Sequence, residues 1–293
     1  MKQIVFVSGK GGTGKTSVTA AVAALAPAKR VLADLDVDAA NLSILFAGAP
    51  ARTVPFMGQP KATVNASACT GCAQCLSVCA FNAVTVRDDV ALVDTMTCEG
   101  CHACALVCPE DAISFAPHPA GAIHLQPVDG GTLVHAELGV AEDNSGKLVS
   151  EVRKLARAEA DRLKADTIFL DGPPGIGCPV HAALNNVQLA VIVTEPSVSG
   201  ISDFARILKL CGQFGIPAAV IINKSDLAPP FTEKILQQCM ENNLPILGII
   251  PFSRDVPLAL SSGKTLLAVP AIEPIIVSIH QQLKSILADL ALG

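Results

Sequence analysis

Apolar residues along this chain collect into short unbroken runs, set apart by stretches with helical spacing. Gln3-Ile-Val-Phe-Val7, Arg30-Val-Leu-Ala33, Leu189 to Thr194, Ala218 to Ile222 and Ile246 to Ile250 are such runs. Thr167-Ile-Phe-Leu170 is another, and it closes on Asp171-Gly-Pro-Pro-Gly175. Short apolar runs without alternation, rich in β-branched residues, predict strands buried on both faces. Thr16 to Leu25 is an Ala-rich helix former, and Lys147 to Leu163 and Ser202 to Cys211 have helical character. Leu133 to Leu138 adds a further strand. The last helix carries Ile275, Ile279, Leu283, Ile286 and Leu290 with Lys284 as its one lysine, which predicts core packing and no stable membrane anchor.

The pattern breaks from about Val54. Pro55, Gly58 and Pro60 punctuate a linker, and two cysteine blocks follow, each running into a short strand, Ala83 to Val86 and Ala112 to Phe115. The boundaries this sets are residues 1–53, an insertion at 54–118, and 119–293.

Composition narrows the class. The 293 residues are 51% apolar and 16% charged, enough for a core and too apolar for a disordered chain. The net charge is −5, with no Lys/Arg cluster, no Trp and no Tyr. Nucleic-acid binding therefore has neither an electrostatic footprint nor stacking aromatics. The apolar start runs directly into a glycine-rich loop, so no signal peptide is read, and no apolar run approaches the ~20 residues that span a bilayer. A cytoplasmic protein is the expectation.

Ser8 to Thr16 reads SGKGGTGKT and fits G-x-x-x-x-G-K-[ST], with Gly9, Gly14, Lys15 and Thr16 at the fixed places. Glycines let backbone N–H groups turn inward on an anion, so the loop through Gly9, Gly11, Gly12, Thr13, Gly14, Lys15, Thr16 and Ser17 is the candidate phosphate cradle. Lys15 carries a point charge to the β/γ-phosphates, and the Thr16 hydroxyl can ligate Mg²⁺. A strand before and a helix after are the setting the motif requires. This is a nucleotide site.

Polar groups follow three of the other runs. Asp34-Leu-Asp36-Val-Asp38-Ala-Ala-Asn41 sets three acids at alternate positions, which repel unless a cation or solvent relieves them. Asp171 ends a buried strand, where open α/β sheets bind ligands. Asn223-Lys224-Ser225-Asp226 matches the guanine-reading N-K-x-D, in which Asp226 can accept from two adjacent guanine donors. The Asn223 amide can pair with adenine instead, acceptor and donor together. Pro251 and Phe252 open the candidate far wall of the base pocket.

Eleven cysteines beside such a motif point to metal chemistry in a reducing compartment and not to disulfides. Cys69-Thr-Gly-Cys72-Ala-Gln-Cys75-Leu-Ser-Val-Cys79 and Cys98-Glu-Gly-Cys101-His-Ala-Cys104-Ala-Leu-Val-Cys108 both read C-x₂-C-x₂-C-x₃-C. Iron–sulfur clusters and zinc both take four thiolates. Cys211 and Cys239 lie in helical segments and read as small packing residues, and Cys178 stands alone after Asp171.

Lys10, inside K-G-G-T-G-K-T, makes the loop resemble the deviant Walker A of the MinD, ParA, Mrp and nitrogenase iron-protein superfamily. The cysteine repeat resembles the bacterial two-cluster ferredoxin, with Ala80 where the second block has Pro109. Together these resemblances imply an α/β P-loop NTPase with a mostly parallel sheet and a small inserted α+β ferredoxin-like domain. Lys10 is then the lysine that reaches across a dimer to the partner's nucleotide. Asp36 orients or deprotonates the attacking water, with Asp38 and Asn41 lining the same region. Asp171 holds Mg²⁺ through water, and the Gly175 N–H senses the γ-phosphate. Asn223 contacts adenine, alongside Lys224 and Asp226, and ATP is favoured over GTP.

The ferredoxin likeness places Cys69, Cys72, Cys75 and Cys108 on one [4Fe–4S] cluster and Cys98, Cys101, Cys104 and Cys79 on the other. Its pattern of three close ligands and one remote favours iron over zinc. The implied cofactors are Mg-ATP and two [4Fe–4S] clusters. The implied partners are a second copy or a related ATPase, in a nucleotide-dependent homodimer or heterodimer, and a redox or metallocofactor protein. Two functions follow from different classes. One is an ATPase whose switch movements gate electron transfer through the clusters. The other is a nucleotide-dependent scaffold or carrier, with the clusters structural or as cargo. The nitrogenase iron protein has a cluster ligand at the offset of Cys178, but no cysteine lies between Cys108 and Cys178, so a dimer offers two thiolates and not four.

Overall fold

The computed structural model describes residues 1–27, 29–46, 48–139 and 145–290. The chain opens with β1 (Lys2–Ser8), α1 (Lys15–Ala24) and β2 (Arg30–Asp34). The stretch that Pro and Gly had marked as a linker contains β3 (Arg52–Met57) and β4 (Lys61–Val64). The cysteine blocks lie on α2 (Gln74–Val78), β5 (Val84–Arg87), β6 (Val90–Val93), α3 (Ala103–Leu106) and β7 (Ile113–Ala116), and on the loops between them. Next come β8 (Pro119–Val128) and β9 (Gly131–Leu138), joined through Gly130 with φ of 71°. The alternation then resumes with α4 (Ser145–Leu163), β10 (Thr167–Pro174), α5 (Cys178–Leu184) and β11 (Leu189–Thr194). It ends with α6 (Val198–Gln213), β12 (Ala218–Asn223), α7 (Pro229–Glu241), β13 (Ile246–Ile250), α8 (Asp255–Ser261) and α9 (Glu273–Asp289).

The main sheet runs β13-β12-β11-β1-β10-β2-β9-β8-β3. From β13 through β9 every neighbouring pair is parallel. Parallel strands need crossovers that leave helices on the faces, so β2 and β11 are buried at every position. Ile4, Phe6, Leu32 and Phe169 pack with α1 and with Ile276, Ile279 and Leu283 of α9. Helices α4, α5 and α6 pack on β2, β10 and β11. Cys211 and Cys239 are buried in this unit, and burial pushes both thiols up to about 11, which keeps them protonated and inert.

Two compact units divide the chain. One holds Met1–Thr53, Ile123–Ala136 and residues 145–290; the other holds Val54–Ala122 and residues 137–139. Inside the second, β4 pairs with β7 and β5 with β6, both antiparallel. Its core is Ala62, Ala83, Val84 and Ala91 with three cysteines, Cys75, Cys98 and Cys104. That is very little apolar mass for an independent core. Among the described residues no helix is long and apolar enough to cross a membrane.

Candidate functional site

The carboxyl ends of β2 and β10 bring Asp34 and Asp171 into register on neighbouring strands. Beside them β1 delivers the glycine loop, and α1 begins at Lys15. Gly12 and Gly14 have φ of 81° and 87°, and a Cβ on Gly14 would also collide with the Asn223 amide. Around Gly11 and Gly12 there is open space where a Cβ would meet nothing. Thr13 is buried with its hydroxyl unpartnered. The buried Lys15 ammonium lies 2.9 Å from Asp171 Oδ1 and 3.9 Å from Asp36 Oδ2. Thr16 donates to Asp171 Oδ2 at 2.6 Å and Thr19 to Oδ1 at 2.9 Å. An open glycine loop, an orphan hydroxyl, a lysine, a second hydroxyl and two carboxylates make a donor set that fits a polyphosphate with Mg²⁺. Ser17, in the first turn of α1, is half-buried.

Asp34 is the residue that sequence reasoning did not separate from its acidic neighbours. It is wholly buried, and its carboxylate accepts from the backbone N–H groups of Asp36, Asn41 and Leu42 at 3.1, 3.0 and 2.9 Å. It therefore ties down the loop that carries Asp36. Burial, and then the Asp171 charge, push Asp34 up to about 7 against the pull of those N–H groups and Lys15. Asp36 is also raised, by burial first, with Lys15 opposing and Asp171 and Asp38 adding to it. Asp38 is exposed, and the Asn41 amide turns to the Ala39 carbonyl. The signal for Asp34 was its place as the one acid closing an apolar strand, which must be paired once buried.

Several sequence-selected groups are engaged within the chain. Lys10 pairs with Glu195 at 2.7 Å. Gly175, with φ of 89°, donates its N–H to the Ser8 carbonyl at 2.9 Å, a bond that must break before this N–H can meet a phosphate. Asn223 donates to the Thr13 carbonyl at 2.8 Å and accepts from the Lys224 N–H at 3.0 Å, which leaves one amide hydrogen for a base. Lys224 reaches the Gly12 carbonyl at 2.8 Å and Glu195 at 2.8 Å. Asp226 Oδ1 accepts from the Phe252 N–H at 2.6 Å, so it braces the Pro251–Phe252 turn. Asn223 and Lys224 thus clamp the phosphate loop, and Asp226 shapes the wall beyond it.

In the second unit the eight repeat cysteines fall into two tetrads. Cys69, Cys72, Cys75 and Cys108 line one pocket with Ala91, Ala112 and Ile113. Cys98, Cys101, Cys104 and Cys79 line a second with Phe81 and Phe115. The two loops repeat each other's backbone: Gly71 and Gly100 have φ of 68° and 63°, Ala73 and His102 of 62° and 66°. Backbone N–H groups of Ala91, Ala112 and Ala83 point at the sulfurs of Cys69, Cys108 and Cys79 at 3.4, 3.3 and 3.3 Å. Burial raises the thiols of Cys75 and Cys104, and neighbouring cysteines add to it, so a bound cation has to displace protons there. Among the described residues no three of His, Cys, Asp and Glu stand close enough to hold a single metal ion. Cys178 is exposed, apart from both tetrads in sequence and lining neither pocket.

A parallel α/β sheet with a glycine loop, lysine and carboxylates at its strand ends defines a P-loop nucleotide-binding protein. Residues 4–266 match the CobQ/CobB/MinD/ParA nucleotide binding domain, and the chain belongs to that family of MinD/ParA-type P-loop ATPases. The uncharacterized protein MJ0578 of Methanocaldococcus jannaschii is 32% identical over 265 residues, 89% of this chain and 88% of its own. The septum site-determining protein MinD of Pyrococcus horikoshii, solved with Mg-ADP, covers 99% of this chain and 98% of its own at a TM-score of 0.56. At 18% identity that likeness is one of fold. A Nubp1 homolog of Drosophila willistoni, a cytosolic Fe-S cluster assembly factor, is 27% identical over 131 residues, 38% of this chain and 42% of its own.

Proposed function

We propose that this chain is a Mg-ATP-hydrolysing iron–sulfur protein that binds two [4Fe–4S] clusters in residues 54–118 and couples its nucleotide switches to electron transfer. The observation that carries the reading is the division of the eight cysteines into two interleaved tetrads, each taking its fourth member from the other block. A zinc ion, at about 2.3 Å from each sulfur, would draw four thiolates within reach of one centre. The pattern of three close ligands and one from the other block favours a cuboidal [4Fe–4S] cluster in each tetrad. Bound there, such clusters supply one-electron chemistry, and the N–H groups of Ala83, Ala91 and Ala112 favour the reduced, more negative state.

In this reading Lys15, Thr16 and Asp171 hold Mg-ATP, and Asp36 orients the attacking water. Lys10 meets the nucleotide of a second copy or a related ATPase, and the Gly175 N–H leaves Ser8 for the γ-phosphate. ATP is preferred over GTP: Asp226 Oδ1 already accepts from Phe252, which weakens a two-oxygen grip on guanine, while the Asn223 amide keeps a hydrogen for adenine. Nucleotide can drive change only by binding two conformations unequally, and closure of such a dimer supplies that difference.

The likeness to the Nubp1 homolog favours a second reading, a scaffold that hands clusters to other proteins. Mixing the anaerobically reconstituted protein with an apo-ferredoxin separates the two. The redox reading expects both clusters to stay bound with and without Mg-ATP. Nucleotide-dependent transfer to the acceptor would replace it with the carrier.

A further inference from the structure

Glu195 follows the last residue of β11 and was not among the residues that sequence motifs selected. It joins two lysines from distant parts of the chain. Its Oε1 is 2.7 Å from the Lys10 ammonium and its Oε2 is 2.8 Å from that of Lys224. Lys10 is also 3.0 Å from the hydroxyl oxygens of both Ser197 and Ser199. An ammonium has three N–H donors. All three have a partner on the same chain, so Lys10 has nothing to offer a phosphate until it leaves them.

We infer that Glu195 is a built-in counter-ion that holds Lys10 on its own chain, so that nucleotide-driven dimerisation competes with an intrachain ion pair. The inference rests on the reading of Lys10 as the lysine that serves the partner's nucleotide. Three features make the contact a latch and not a passing surface pair. One acceptor is fixed: Ser197 caps α6 by accepting from the Gly200 N–H at 3.0 Å. The carboxylate stays charged, since hydrogen bonds from Lys10 and Lys224 outweigh the burial that would raise it and hold it below the usual range. The latch is also reversible. When Lys10 leaves, Glu195 keeps Lys224, which remains on the Gly12 carbonyl at 2.8 Å, so the receiving site stays in place. Lys10 and Glu195 side chains are 29% and 17% exposed, and solvent screening keeps the pair weak enough to be opened.

The experiment is a dimerisation titration of the full chain, purified anaerobically, by sedimentation velocity against Mg–ATPγS. Glu195→Gln should dimerise at about tenfold less nucleotide than the parent, equivalent to about 1.4 kcal/mol. Ser199→Ala, which removes one partner of Lys10 and spares Glu195 and the α6 cap, should move the midpoint the same way by about two- to threefold. A residue that merely supports the loop would move it the other way. If Glu195→Gln dimerises at the parent's midpoint or above while Lys10→Ala does not dimerise, the latch is overturned and the role of Lys10 stands. If Lys10→Ala dimerises like the parent, that role falls and the latch falls with it. Should Glu195→Gln fail to fold, Ser199→Ala decides alone, and an unmoved midpoint overturns the proposal.

Discussion

Asp171 takes three donors at once, from Lys15 at 2.9 Å, Thr16 at 2.6 Å and Thr19 at 2.9 Å. It is wholly buried, so Lys15→Ala removes its counter-charge as well as the phosphate ligand. Loss of one member of a buried pair costs about 3 kcal/mol or more, and denaturant unfolding should show a loss of that order along with undetectable ATP binding. Stability within about 0.5 kcal/mol of the parent would contradict this account of the pair. Asp36→Ala should bind Mg-ATP and not turn it over; unchanged phosphate release would remove Asp36 from the chemistry. Asp34 calls for a pH test. Its folded pKa of about 7 lies above the ordinary carboxylate value of 3.8. Stability tied to its proton is then full below about pH 4 and lost as the pH rises through 7. Glu195 and Glu159 are lowered, so their contributions vanish only in more acid solution, outside that window. Between pH 5 and about 8 metal-free Asp34→Asn should gain on the parent in stability as pH rises; Asp36, also raised, and His280, lowered by burial, act alike in both proteins. Equal slopes in parent and variant would place the strain elsewhere.

At the scale of elements, what was legible depended on burial. Leu189 to Thr194 forms a strand over those same residues, because an apolar run between covering helices has no other stable place; Ile246 to Ile250 does so too, but at the sheet edge with Ile249 43% exposed. β3 was lost because Pro55 read as linker, and β8, which holds Pro119, Gly121 and Pro127, carries no apolar run that marks a strand. β3 lies at the sheet edge, where a missing N–H costs little. In α9 the buried stripe is Ile276, Ile279, Leu283 and Leu287, with Leu290 42% exposed, one step round from the stripe that the sequence marked. The phosphate loop was readable because its residues are contiguous. The clamp from Asn223 and Lys224 onto the Thr13 and Gly12 carbonyls spans some two hundred positions, and no local pattern records it. Asp226→Ala frees the Phe252 turn, so ATP and GTP affinity should fall together, each by less than about tenfold. A selective loss of GTP binding in a nucleotide competition would restore Asp226 as a guanine reader. In the insertion, Cys75→Ser should remove about four iron atoms per chain and spare the other tetrad. Loss of all iron would mean that the tetrads are not independent.

For the whole molecule, the contrast is between a unit with a large apolar core and one whose core is three cysteines among four small apolar residues. Binding energy at the tetrads would then be folding energy for residues 54–118. Stripping iron with a chelator under oxidation should open that unit to protease while Mg-ATP binding persists in the other. Uniform resistance would show that its fold does not need the clusters. Family membership establishes the ATPase, and the central proposal is the iron. Iron and zinc analysis of anaerobically isolated protein, with Mössbauer spectroscopy on the same sample, tests it most directly. The account predicts about eight iron atoms per chain, all in [4Fe–4S] form. Stoichiometric zinc without iron would contradict it.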